Sequence, residues 1–205
     1  MSFFNAFVKI TGWLAQFFCF RTKVFYEDKK TQSRKIKGKA IIISNHTSVY
    51  DYAVFIFVFF FRVLRYQMAE VLFKNRLLKR FLLLMGGIFV DRNSKDFSFM
   101  QKSEEILDKG GVVGIFPEGR LPKEGEERPL KFLSGAAYLA LRSGAPIIPV
   151  YTNGSYFRSK RAKVVIGKPI DVSALYDGEK TEKENLSKIT EELRKKVVEL
   201  ADHIK

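Results

Sequence analysis

The sequence predicts an α/β domain, a largely parallel sheet flanked by helices, preceded by an N-terminal membrane-interface helix. Three observations carry this reading. Short runs of aliphatic and β-branched residues alternate along the chain with segments of helical periodicity, the pattern of a sheet covered by helices. Polar clusters holding Asn, His, Asp, Glu and Arg directly follow several of those runs. The first twenty residues are dense in phenylalanine and carry a single charge, Lys9.

Residues 3–20, "FFNAFVKITGWLAQFFCF", come first. Their polar members Asn5, Lys9, Gly12 and Gln16 recur at helical spacing and form one narrow stripe. The remaining surface carries Phe3, Phe7, Ile10, Trp13, Leu14, Phe17 and Phe18, with Arg21 and Lys23 following, as in a helix lying in the bilayer interface. A core helix packed on the domain has the same periodicity, but the aromatic load favours the membrane. No stretch supplies the roughly 20 nearly unbroken apolar residues of a spanning helix. A cleavable signal is disfavoured because no basic residue precedes the apolar part and no small-residue cleavage site follows it. Residues 1–30 are therefore expected to be a membrane-associating helical segment, and 31–205 the folded domain.

Within that domain the expected strands are 39–44 (KAIIIS), 63–68, 87–90, 111–116, 145–150 and 162–167. The expected helices are 48–61, 71–85, 96–109, 134–143 and 181–203, and 120–131 is the longest polar loop. Ligands of open parallel sheets gather beyond the carboxyl ends of the strands. "NHTSVYD" (45–51), "DR" (91–92) and "PEGR" (117–120) all stand at such ends.

The totals narrow the function classes. A chain of 205 residues fits one domain with a real core. A formal charge of +14, from 36 Lys+Arg against 22 Asp+Glu, attracts anionic headgroups, phosphorylated substrates or nucleic acid. The lysines are dispersed and no nucleic-acid fold is recognisable, so no nucleic-acid partner is expected. Cys19 is the only cysteine, which excludes an internal disulfide and a cysteine metal site and suits a reducing, cytoplasmic-face location.

His46 and Asp51 lie five residues apart, too far round a regular helix to meet. They meet if His46 belongs to the entering loop, with Ser48 as N-cap and Asp51 at N3 of a capping box. Asp51 then fixes the imidazole tautomer and leaves the other ring nitrogen as a base. The plainer reading is a capping aspartate beside a satisfied histidine. "FPEGR" (116–120) leaves Glu118 and Arg120 at a strand end, and an arginine fork suits a phosphate. Glu118 orients an arginine or meets a substrate hydroxyl, or the segment is an ordinary exposed turn. Arg92 follows another strand, either as a ligand or as half of a surface pair with Asp91.

Together these clusters resemble the glycerolipid acyltransferase family, the 1-acylglycerol-3-phosphate (lysophosphatidic acid) acyltransferases and their relatives. The family's Asn-His-x-x-x-x-Asp block is matched by Asn45, His46 and Asp51. "GGIFVDR" (86–92) loosely matches the second block, with "AEVLF" (69–73) before it. "FPEGR" matches the third, without the usual threonine between Gly119 and Arg120. "APIIPVYTNG" (145–154) matches the fourth, and "KFLSGAAYLAL" (131–141) resembles the helix start between them, with Leu133 where a lysine is common. The resemblance covers residues 35–170.

It implies transfer of a fatty acyl group from acyl-CoA or acyl-ACP (acyl carrier protein) to the free hydroxyl of 1-acylglycerol-3-phosphate, giving phosphatidic acid in phospholipid biosynthesis. His46 is then the general base and Asp51 its orienting carboxylate. Asn45, Arg92, Glu118, Gly119 and Arg120 are the substrate-binding residues, and amides after His46 are expected to stabilise the oxyanion. The substrate supplies the nucleophile and the thiolate leaves readily, so neither metal nor cofactor is expected. Membrane lipids, the lyso-phospholipid acceptor and the acyl carrier are the expected partners. The alternatives are another lyso-lipid acceptor (a lyso-ornithine lipid or lysophospholipid) and a non-enzymatic basic membrane adaptor.

Overall fold

The computed structural model describes residues 3–30, 32–92, 96–157 and 161–204. Its seven strands are β1 (Lys23–Tyr26), β2 (Ala40–Ser44), β3 (Leu64–Ala69), β4 (Ile88–Val90), β5 (Val112–Ile115), β6 (Ile147–Thr152) and β7 (Lys163–Ile166). They form one sheet in the order β1-β7-β6-β2-β5-β3-β4. Every pairing is parallel except β6 with β7. The largely parallel sheet is as expected from the sequence.

β2 sits between β5 and β6, and all five of its residues are buried. Successive side chains of a strand face opposite ways. Ile42 accordingly enters one apolar cluster and Ile41 and Ile43 the other. Burying an isoleucine is worth roughly 1.5–3 kcal/mol, so this triplet favours a central strand over an edge.

The described residues form six α-helices: α1 (Phe3–Phe20), α2 (Asp51–Val58), α3 (Arg76–Met85), α4 (Ser98–Asp108), α5 (Gly135–Ser143) and α6 (Glu182–Glu199). Nearly every position of α2 is apolar, and Val54 to Val58 are all buried. Such a helix needs cover on both sides. The sheet supplies one side and α1 the other, with Gly12 so close to α2 that a Cβ there would stand 2.9 Å from the Phe57 ring.

The polar stripe of α1 faces the protein. Lys9 is fully buried, and its Nζ donates to the carbonyls of Phe60 and Arg62 at 3.0 and 2.6 Å. The Asn5 amide donates to the carbonyl of Met85 at 3.3 Å. These are carbonyls at and just beyond the ends of α2 and α3, which a helix cannot satisfy internally. The apolar surface of α1 consequently points outward, with Phe3 88% and Phe18 70% exposed.

Several boundaries differ from expectation. The segment 23–26 pairs with β7 inside the sheet, so the division at residue 30 does not hold, and α1 alone precedes the sheet. Its four residues are too short a run to stand out among the charges around them. The 48–61 helix begins at Asp51, with Tyr50 rather than Ser48 before it. The 71–85 helix is split, because the Asn75 side chain accepts from the backbone N–H groups of Leu77 and Leu78 and restarts it after a 3-10 turn at Glu70–Phe73. The last helix starts on a Thr181–Glu184 capping box and passes into a 3-10 turn at Leu200.

Candidate active site

β2, β3, β4, β5 and β6 run in the same direction, so their carboxyl ends share one edge. His46 follows β2 there, and Asp51 opens α2. Their side chains meet, with Nδ1 of His46 2.8 Å from Oδ2 of Asp51. A carboxylate only accepts, so Nδ1 carries the ring proton and Nε2 keeps a free lone pair. The imidazole stacks on Phe116, with centroids 4.1 Å apart and planes at 11°. It is 18% exposed, whereas Asp51 is fully buried.

Asp51 is held on every side. Oδ2 accepts the backbone N–H of Thr47 at 2.7 Å and of Ser48 at 3.0 Å. Oδ1 accepts the Thr47 hydroxyl at 2.8 Å and the Tyr156 hydroxyl at 2.6 Å. This satisfies a buried charge that would otherwise be costly. It replaces the expected capping box, since the Ser48 hydroxyl accepts from Tyr50. It also removes the Thr47 and Ser48 amides from oxyanion duty, because both point at Asp51.

Asn45 and Glu118 were expected to touch substrate, and the structure gives both to the backbone. The Asn45 amide exchanges two 2.8 Å hydrogen bonds with the main chain of Thr152, clamping the end of β2 to that of β6. Glu118 is 5% exposed, and its oxygens accept the N–H groups of His46 at 2.7 Å and Leu130 at 2.9 Å. Burial pushes its carboxyl upward and the two N–H donors pull it back. Among the described residues Glu118 makes no ion pair with an arginine. Gly119 adopts a left-handed φ of 70°, and a Cβ there would stand 2.8 Å from Leu133.

Residues 21–153 match the model of the Acyltransferase family. The chain belongs to the acyltransferase family. It is 29% identical to the 1-acyl-sn-glycerol-3-phosphate acyltransferase of Borreliella burgdorferi over 98% of this chain and 78% of that protein. It is 29% identical to the Bacillus subtilis protein of the same name, over 69% of this chain and 70% of that one. The human 1-acyl-sn-glycerol-3-phosphate acyltransferase beta is 27% identical over 82% of this chain and 61% of its own length. The fold is shared with the LPA acyltransferase PlsC of Thermotoga maritima, at a TM-score of 0.68 and 20% identity, covering 98% of this chain and 81% of that one.

Within this acyltransferase the two arginines lie at the same sheet edge as His46. Arg92 forks onto Glu70 with two contacts of 3.2 Å, and Nη1 also donates to the carbonyl of Gly119 at 3.2 Å. Arg120 forks onto Glu126 at 2.7 Å twice. Each arginine draws its partner's carboxyl down to about 2, chiefly by hydrogen bonding. Both side chains stay more than 40% exposed, so water and ligands can compete for them. Sequence reasoning missed Thr47, Phe116, Thr152 and Tyr156 as members of the site. Phe116 and Thr47 adjoin motif residues and were within reach, whereas nothing local marks Tyr156.

Proposed function

We propose that the chain transfers a fatty acyl group from an acyl thioester, acyl-CoA or acyl-ACP, to the free hydroxyl of 1-acylglycerol-3-phosphate, forming phosphatidic acid for phospholipid synthesis. The observation that carries this is the His46–Asp51 pair. Its free Nε2 lies at a sheet edge that also presents two exposed arginines, in a chain whose curated relatives bear that activity in their names.

Nε2 takes the acceptor's hydroxyl proton as its oxygen attacks the thioester carbonyl, a contribution of typically 10²–10⁴-fold for general-base catalysis. Asp51 stabilises the imidazolium that forms. The C–O bond forms, the C–S bond breaks, and the imidazolium returns its proton to the leaving thiolate. Arg120 and Arg92 bind the acceptor's phosphate through planar forks. Asn45, Glu118 and Gly119 shape the loops that present His46 and the arginines. The outward apolar face of α1 seats the enzyme on the cytoplasmic face of a membrane, where its lipid substrates reside.

A second acceptor, another lyso-lipid, draws on one feature. Leu133 stands exposed beside Gly119 where the family commonly has a lysine. Purified protein, acyl-CoA or acyl-ACP, and a panel of lyso-lipids analysed by mass spectrometry decide between the two. Phosphatidic acid as the main product supports the proposal. Acylation of a different lyso-lipid with none of 1-acylglycerol-3-phosphate refutes it.

A further inference from the structure

Tyr156 lies outside all four sequence blocks, four residues beyond the end of β6, yet it reaches the centre of the site. It is 6% exposed, and its hydroxyl donates to Oδ1 of Asp51 at 2.6 Å. The Thr152 hydroxyl lies 2.9 Å from the Tyr156 hydroxyl oxygen. The phenol's only proton is committed to the carboxylate, so Thr152 is the donor of that second bond. Burial, and then the charge of Asp51, raise the phenol's proton affinity, which keeps it a neutral donor.

The ring of Tyr156 is fixed from the other side by the membrane-facing helix. Phe20, the last residue of α1, meets it edge-on with centroids 5.5 Å apart and planes at 78°. The chain on either side of Phe20 is tied to the same loop region. The carbonyl of Cys19 accepts from Phe157 N–H at 3.2 Å, and that of Phe20 from Ala162 N–H at 3.1 Å. Phe20, Tyr156, Asp51 and His46 thus form an unbroken series of contacts from the end of α1 to the free imidazole nitrogen.

We infer that Tyr156 is a positioning residue of the His46–Asp51 pair, and that Phe20 at the end of α1 holds it there, linking the seating of α1 to the geometry of the base. The inference rests on the general-base reading of His46. Asp51 is a shared acceptor, and each donor it gains takes some of the negative charge that faces the imidazole. Removing the phenol hydroxyl returns that charge to the His46 side, favours the imidazolium and delays the appearance of free base as pH rises. Among the described residues Tyr66 and Glu118 also act electrostatically on this pair, and both are unchanged in the variants below.

The test is the pH dependence of kcat/KM for the full chain on lipid vesicles, with acyl-CoA and 1-acylglycerol-3-phosphate. Wild type, Tyr156→Phe, Phe20→Ala and His46→Ala are compared. Tyr156→Phe keeps the ring and loses one hydrogen bond. Its kcat should fall by roughly 10-fold or more while the acceptor KM stays within about twofold, the mark of an interaction felt mainly in the transition state. Its acid limb should move to higher pH, and Phe20→Ala should move it the same way by less. If Tyr156→Phe does not fold, Thr152→Val, which removes the phenol's donor, carries the same test with a smaller shift. An unmoved acid limb in the folded variant overturns the inference, whether or not kcat falls. An unmoved limb in Phe20→Ala overturns the link to α1. Activity near wild type in folded His46→Ala refutes the general-base reading itself, a different failure.

Discussion

Glu118 and His46 meet through the backbone: Oε1 of the glutamate accepts the histidine's own N–H at 2.7 Å. The same carboxylate accepts Leu130 N–H at 2.9 Å, so it ties the His46 loop to the far end of the 120–131 loop. A glutamate that looked like a substrate ligand in the sequence therefore sets where His46 stands.

Glu118→Gln should lower kcat with little change in either KM. Glutamine offers one acceptor oxygen where two N–H groups need one each, and its amide nitrogen would oppose the other. Misplacement of a reacting group by about 1 Å can cost on the order of 10²-fold. Steady-state kinetics with circular dichroism as a folding control make the check. A folded variant with unchanged kcat would show that the loop holds His46 without this carboxylate.

His46→Ala and Asp51→Ala should each remove most activity, the histidine change at least as much as the aspartate change. The expected loss for a missing general base is about 10²–10⁴-fold. Asp51→Ala also strands five N–H or O–H donors, those of the His46 ring, the Thr47 and Ser48 backbone and the Thr47 and Tyr156 hydroxyls, so its melting temperature should fall further than that of His46→Ala. Thermal melts of the two variants, beside product formation from radiolabelled acyl-CoA, read both effects.

Arg120→Ala should raise the acceptor KM far more than the donor KM, because phosphate binding is felt equally in ground and transition states. Glu126→Gln should lower the acceptor KM by freeing the fork that now holds its carboxylate. The carboxyl of Glu126 is depressed to about 2. Its pairing with Arg120 is thus complete above the ordinary carboxylate range and is lost only as pH falls through about 2. Acidification to pH 5 does not release Arg120. The acceptor KM should instead rise below roughly pH 6, where a phosphate monoester loses its second charge. An Arg120→Ala effect confined to the acyl donor would assign this arginine to the other substrate.

Replacing Phe7, Ile10, Leu14 and Phe17 with serine or glutamine should release the protein from anionic vesicles in high salt and leave the fold intact. These side chains are all more than half exposed, and exposed charges alone are screened beyond roughly 10 Å at 0.1 M salt. Deleting α1 is a different experiment, because Ile56, Phe57 and Met85 pack against it. That truncation should unfold at lower temperature as well as leave the membrane. Sedimentation of the substituted protein with vesicles in high salt, with an unchanged melting curve, would exclude the outer face of α1 as the anchor.

The sequence by itself determined the α/β class, most strands and helices, and the pairing of His46 with Asp51. Those features are written in short-range patterns: the period of apolar residues, caps and turns, and a motif seven residues long. It also marked the polar stripe of α1 as Asn5, Lys9, Gly12 and Gln16. The tertiary structure decided which way that stripe faces, because only the folded chain brings the carbonyls of Phe60, Arg62 and Met85 within its reach. It likewise made Asn45 a clamp on Thr152, 107 residues away, and Tyr156 a donor to Asp51, 105 residues away. β1 joined the sheet because β7 offered it a parallel partner. Hydrogen bonds between distant segments leave no periodicity in the chain. They exist because a buried carboxylate or carbonyl must find its donors wherever the fold brings them.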